Sequence, residues 1–350
     1  MKTIVSAVVL IVLLGVLGLG WQGISFVTIP AGSGKKVVDF EVVPGESFTK
    51  IAKRLEDAGV VKNALYLKVF SKLRGVTQEI RVGEYELNDG MTPTEVLKIL
   101  ASGKSKLKSF TIPEGQNIYE VARILANKGY GTYEDNLKLF TNKEFVQSLL
   151  GQELPSLEGY LFPETYNVTK YTTPRDIAKI MVDRFNTVWE ELPYDDAKMS
   201  RHELVTLASI VEKETGAPEE RPRIASVFHN RLRKGMRLQS DPTIIYGIAA
   251  ETGKMIKNIR RRDIKAKTPY NTYTVKALPV GPISNPGREA LKAVLAPDGS
   301  PFLFFVSRND GTHVFSKTLQ EHNAAVKKFQ LRRSARQGKS WRDLQKRRTN

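Results

Sequence analysis

The sequence predicts an α+β protein: an N-terminal transmembrane helix, a small βααβ module and a larger α+β domain. Three observations predict it. Residues 4–20 (IVSAVVLIVLLGVLGLG) are almost wholly apolar, and no charge falls between Thr3 and Gly34. A strand–turn–helix pattern occurs twice, at 37–59 and again at 109–129. A late pair of strand-like runs, 302–306 and 313–316, flanks an Asn309-Asp310-Gly311 turn, a strong hairpin signal. Strict βαβα alternation, as in a doubly wound sheet, is absent.

The apolar run is at the short end of what spans a bilayer, and Trp21 at its end suits an interface. No A-x-A-like cleavage site follows in LGLGWQGISFVTIP, so an uncleaved anchor is expected rather than a signal peptide. Lys2 on one side and Lys35-Lys36 on the other barely decide orientation. Large domains translocate largely regardless of local charge, so the bulk of the chain is expected outside the cytoplasm.

The repeat aligns VPGESFTKIAKRLEDAG (43–59) with IPEGQNIYEVARILANKG (112–129), with one residue inserted at Glu114. Ile51, Ala52 and Leu55 match Val121, Ala122 and Leu125, on one helical face. Ser47 and Asn117 are good N-caps, and Gly59 and Gly129 plausible stops. Further helices are expected at 64–73, 93–100, 133–150, 174–192, 201–215, 218–234 and 319–331, with a short strand at 82–87. The divisions are 1–34, anchor and linker; 35–106, the small module; 107–331, the larger domain; and 332–350, a basic tail.

At 350 residues, 41% hydrophobic and 26% charged, the chain has room for roughly two domains with real cores. It has no cysteine, which excludes disulfide scaffolds, thiolate metal sites and cysteine nucleophiles. The net charge of +17 suggests a polyanionic neighbour. Much of it sits in 331–350, with eight Lys or Arg against one Asp, and no nucleic-acid-binding fold accompanies it. No specific nucleic-acid partner is therefore expected. The four histidines lack metal-ligand spacing, and no G-x-S-x-G elbow, GxGxxG or P-loop occurs, so neither metal nor cofactor is expected.

The chemistry-bearing stretch is LASIVEKETG (207–216). With residues about 100° apart around a helix, Leu204, Leu207, Ala208 and Val211 centre the apolar stripe and Lys213 points to solvent. Glu212 falls between Ala208 and Val205 on one flank, Glu214 between Ile210 and Leu207 on the other. A carboxyl partly withdrawn from water is easier to keep protonated and so suits acid–base work. The alternative is an acidic helix end paired with Arg221 or Arg223, and position alone leaves both open.

Three stretches are dense in aromatic, Pro, Gly and amide residues: LEGYLFPETY (157–166), GMRLQSDPTIIYG (235–247) and TPYNTYTVKALPVGPISNPG (268–287). Such segments are poor in helix propensity; they either fix tertiary contacts or bind sugars through aromatic faces and amides.

Together, ASIVEKET, FHNRLRKGMRLQSDPTIIYG, EGYLFPETY and YNTY…LPVGPISNPG resemble the YceG-like family of endolytic murein transglycosylases, from the anchor to about residue 330. The βααβ module, with its Pro-Gly-Glu-Ser turn, resembles LysM-type glycan-binding modules. The resemblance implies a peptidoglycan lyase of the inner membrane, cleaving MurNAc–GlcNAc bonds within glycan strands to give 1,6-anhydro ends and terminating strand elongation. A single glutamate would act as acid and then base, departing from the usual two-carboxylate arrangement. Carried onto this chain it implies Glu212 as that glutamate, with Glu214 beside it. Gln239, Asp241, Asn271, Tyr273, Glu158 and Tyr160 are expected at the substrate, and Glu164 in the cleft or its walls; Asp241 could equally be a helix N-cap. Implied partners are peptidoglycan strands, the membrane and peptidoglycan synthases. The rivals are a membrane-anchored peptidoglycan hydrolase and a non-catalytic wall-binding scaffold.

Overall fold

The computed structural model describes residues 21–23, 25–193, 199–214 and 217–331. The expected transmembrane helix at 4–20 and the tail at 332–350 lie outside them. Among the described residues no helix is long and apolar enough to cross a membrane. The chain is mixed helix and strand and divides into two compact units. One holds the described residues up to Ser109 with Asn167–Thr172; the other holds Phe110–Tyr166 and Thr173 onward.

In the first unit, β1 (Val37–Val42) pairs antiparallel with β2 (Gly83–Asn88), Val37 opposite Asn88 and Val42 opposite Gly83. Alternation sends Phe40, Val42, Tyr85 and Leu87 inward. Between the strands run α1 (Phe48–Asp57) and α2 (Ala64–Leu73), and α3 (Pro93–Ser102) follows. Ser47 caps α1 by accepting from the Lys50 N–H, Asn63 caps α2 likewise, and Thr92 and Glu95 form a capping box on α3. Ile51, Ala52 and Leu55 meet Leu67, Val96, Leu97 and Leu100 in one core, as the apolar spacing predicts.

The chain passes into the second unit within β3 (Lys108–Thr111), and α4 (Ile118–Asn127) follows, capped by the Asn117/Glu120 box. The expected helix at 133–150 is two helices, α5 (Tyr133–Phe140) and α6 (Lys143–Leu150), because the Asn142 side chain accepts from the Phe145 N–H and starts a new one. Then come β4 (Thr165–Val168), paired with β3, and the 17-residue α7 (Pro174–Glu190).

The centre is α8 (Arg201–Glu214), in which every residue from Leu204 to Val211 is buried. The expected solvent side is therefore missing over that stretch. α8 packs against α9 (Arg221–Arg233), α10 (Asp241–Thr252) and, beyond the short α11 (Arg261–Ile264), α12 (Arg288–Leu295). Two of these correct the sequence reading. The DPTIIYG stretch, read as poor in helix propensity, is helix as the N-cap alternative for Asp241 required, but Ser240 holds the N-cap and Asp241 is the first helical residue. α12 was not expected at all. The hairpin forms as predicted from β5 (Phe304–Ser307) and β6 (His313–Ser316), with Asn309 and Gly311 both at positive φ. α13 (Leu319–Val326) continues into a π-helical turn, Lys327–Leu331.

Candidate active site

α8 ends with its two acidic residues on opposite flanks, and each flank is a separate polar group. On the first, Glu212 Oε1 accepts from Arg221 Nη2 at 3.1 Å, and Oε2 accepts from the Gly287 N–H at 3.0 Å. The Glu212 side chain is only 6% exposed and that of Arg221 11%. Arg221 also reaches Glu114 Oε2, at 3.6 Å, making one cation shared by two carboxylates. Burial, and next the negative charge of Glu212, raise the Glu114 carboxyl above its ordinary range. Gly287 leaves room for Glu114: a Cβ there would stand 1.9 Å from Glu114 Oε1 and push that side chain aside. Lys213 also holds this turn, donating from Nζ to the Gly115 carbonyl at 2.9 Å.

On the second flank, Ser240 Oγ donates to Glu214 Oε1. Burial pushes the Glu214 carboxyl up to about 7; Ser240 and Arg231 oppose the shift and Asp241 adds to it. Asp241, exposed at the start of α10, accepts from the Tyr273 hydroxyl at 2.7 Å. Gln239 is exposed too, and its φ of 53° puts a non-glycine residue in the left-handed region. That conformation is held from below. The Gln239 N–H donates to the Thr272 carbonyl and the Ser240 N–H to Thr272 Oγ1 at 2.9 Å, clamping RLQSDP onto YNTY. Strained backbone held by its surroundings is a feature of functional sites.

The structure thus brings Glu214, Gln239, Asp241 and Tyr273 together, with Glu212 on the other flank of the same helix. It does not bring the remaining candidates to that rim. Asn271 is fully buried; its amide donates to the Ile264 and Ala266 carbonyls and its Oδ1 accepts from the Tyr273 N–H, so it shapes the loop from within. Glu158 is 2% exposed and accepts from the Ile118 N–H at 3.0 Å, from Asn285 Nδ2 and from Tyr246. Burial pushes it up to about 8. Tyr160 is buried with its hydroxyl 2.9 Å from His202 Nδ1, and Glu164 pairs with Arg184. Glu158, Tyr160 and Asn271, expected at the substrate, are thus all buried and hydrogen-bonded inside the protein.

Sequence reasoning missed Ser240, which stood within a quoted motif without being singled out, and Gly287. Glu114 had left a signal: it is the residue that breaks the internal repeat.

Fold and site together define a class: an α+β protein whose central buried helix ends in two carboxyls, one tied to arginine and one held by a serine beside an exposed polar rim. The YceG-like family pattern matches residues 40–328. The chain is 33% identical over 313 residues to the endolytic murein transglycosylase of Bacillus subtilis (strain 168), covering 84% of this chain and 85% of that one. It is 30% identical to the endolytic murein transglycosylase of Streptococcus pneumoniae serotype 2 (strain D39), over 92% of this chain but 64% of the longer relative. The crystal structure of a YceG-like protein from Listeria monocytogenes aligns with a TM-score of 0.54 at 34% identity, covering 83% of this chain and 99% of that one. This chain belongs to the YceG-like family.

Proposed function

We infer that this protein is an endolytic murein transglycosylase, a lyase that cuts peptidoglycan glycan strands internally. The observation that carries the inference is its identity of 30–33% over most of its length to relatives bearing that name. The substrate class is peptidoglycan, and the product is a strand ending in 1,6-anhydroMurNAc.

For the acid–base group, the geometry supports Glu214 better than Glu212. Glu212 is committed to Arg221 and to the Gly287 N–H. Glu214 has a carboxyl raised to about 7 and stands beside the exposed Gln239 and Asp241. A general acid works best when its pKa lies near the working pH. Protonated Glu214 gives its proton to the glycosidic oxygen as the bond to C1 breaks. The muramyl C6 oxygen then bonds to C1, and its proton returns to the Glu214 carboxylate, restoring the acid without water as nucleophile. Gln239 and Asp241 would hold the sugars, with Tyr273 orienting Asp241. Residues 4–20 would anchor the chain in the cytoplasmic membrane with the catalytic unit on the outer side. The LysM-like module would hold glycan, and synthases that extend the strands would be natural neighbours.

Mass spectrometry of fragments released from isolated sacculi tests the reaction. The expected products carry 1,6-anhydro ends. Ordinary reducing ends would make the protein a hydrolase instead.

A further inference from the structure

In α2 the residues sort by face at about 100° per residue. Leu67 and Ser71 point into the core of the small module and are fully buried. The opposite side carries Leu65, Val69 and Leu73, which are 64%, 51% and 80% exposed, with the partly exposed Tyr66 at the edge. The i, i+4, i+8 spacing stacks these aliphatics into one stripe. Lys68 and Lys72, both exposed, border it, and α2 contains no acidic residue. An apolar stripe rimmed by cations on a folded, water-facing module marks an interaction surface.

The N-terminal segment identifies the occupant. Trp21 follows the apolar run 4–20 directly and is 72% exposed. Five residues on, Phe26 is buried in the core of the module and meets the Tyr66 ring edge-on at 5.5 Å. Gln22 Oε1 accepts from the Tyr66 hydroxyl at 3.2 Å. The chain emerging from the apolar run is therefore fastened to α2 itself, which keeps α2 at the level where that run ends.

We propose that α2 lies in the headgroup layer of an anionic phospholipid bilayer, with Leu65, Val69 and Leu73 dipping into the acyl boundary. The proposal rests on residues 4–20 being a membrane anchor. Lys68 and Lys72 would lay their methylene stems along the boundary and reach acidic headgroups, as interfacial helices with a basic border do. The module would then be held flat on the membrane rather than swinging on its linker.

The chain has no cysteine, so a single introduced one is a unique probe. Full-length L65C, V69C and L73C, and the exposed controls K50C and K98C, would each carry an environment-sensitive fluorophore in phosphatidylglycerol/phosphatidylethanolamine vesicles. A spin-labelled lipid serves as quencher. Quenching at the three stripe positions should exceed that at the controls by about threefold or more, since an interfacial apolar face sits within the reach of acyl-chain quenchers. A chain that floats with vesicles but shows equal, weak quenching at all positions overturns the α2 proposal and leaves the anchor standing. A chain that does not float with vesicles overturns the anchor reading and the proposal with it.

Discussion

Ser240 Oγ donates to Glu214 Oε1 across the seam between the end of α8 and the start of α10, the contact that distinguishes Glu214 from the neighbouring Glu212. Both carboxyls are withdrawn from water, but Glu212 faces an arginine and a backbone N–H whereas Glu214 faces a hydroxyl and the like charge of Asp241. Different partners on two flanks of one helix end leave one carboxylate ion-paired and the other raised toward neutral pH, with Arg231 opposing that rise.

Activity should depend on pH through Glu214. Its carboxyl, raised to about 7, must be protonated for the first step. Cleavage should fall as pH rises through about 7, roughly tenfold per further unit. Ser240→Ala removes a donor that favours the ionised form, so the falling limb should move to higher pH. An unchanged limb in that variant would mean that another group sets it.

Arg221→Ala should strongly destabilise the fold. It leaves Glu212 buried with a single donor, and removing one partner of a buried pair costs about 3–5 kcal/mol. Glu212→Gln keeps the shape and should cost less. Denaturant unfolding of both variants checks the order, and equal losses would show that Glu212 does not depend on Arg221.

Glu158 should make stability fall as pH rises from the ordinary carboxylate range to about 8. Its folded carboxyl titrates near 8, above the ordinary carboxylate value, so the folded state holds a proton that the unfolded chain releases. This contribution is fully present below the ordinary carboxylate range and is lost as pH rises through about 8. Glu158→Gln should flatten the melting temperature across that window. Glu158→Ala leaves the Ile118 N–H without its partner and should cost about 1–3 kcal/mol at any pH.

Gln239→Gly should separate stability from function. Relief of the left-handed backbone favours glycine by about 1 kcal/mol. Loss of the exposed amide should raise KM more than it lowers kcat if Gln239 holds a sugar. A more stable variant with unaltered kinetics would remove Gln239 from the site.

Much of the fold was legible because local signals agreed with tertiary demands. The repeat predicted caps at Ser47 and Asn117 and stops at Gly59 and Gly129, and both helices have those caps with the glycines at positive φ. Asn309-Asp310-Gly311 predicted the hairpin. α10 was legible only as the N-cap alternative for Asp241, because helices buried on several sides lose their amphipathic period and IIYG resembles a rigid loop. α12, eight residues behind a proline-rich segment, offers Ala290, Leu291, Ala293 and Val294 in too short a window for periodicity to register. The site was legible as a set of motifs, but the choice between two glutamates was not. A helical wheel treats both flanks alike, and only the tertiary partners Arg221, Gly287 and Ser240 tell them apart.

The most direct measurement is the yield of 1,6-anhydro ends from sacculi treated with wild type, Glu214→Gln and Glu212→Gln at equal folded concentration. Glu214→Gln should lose cleavage by about a hundredfold or more, since a general acid contributes that much, whereas Glu212→Gln should retain measurable cleavage. Full cleavage by Glu214→Gln alongside an inactive, normally folded Glu212→Gln would contradict the account and return the acid–base role to Glu212.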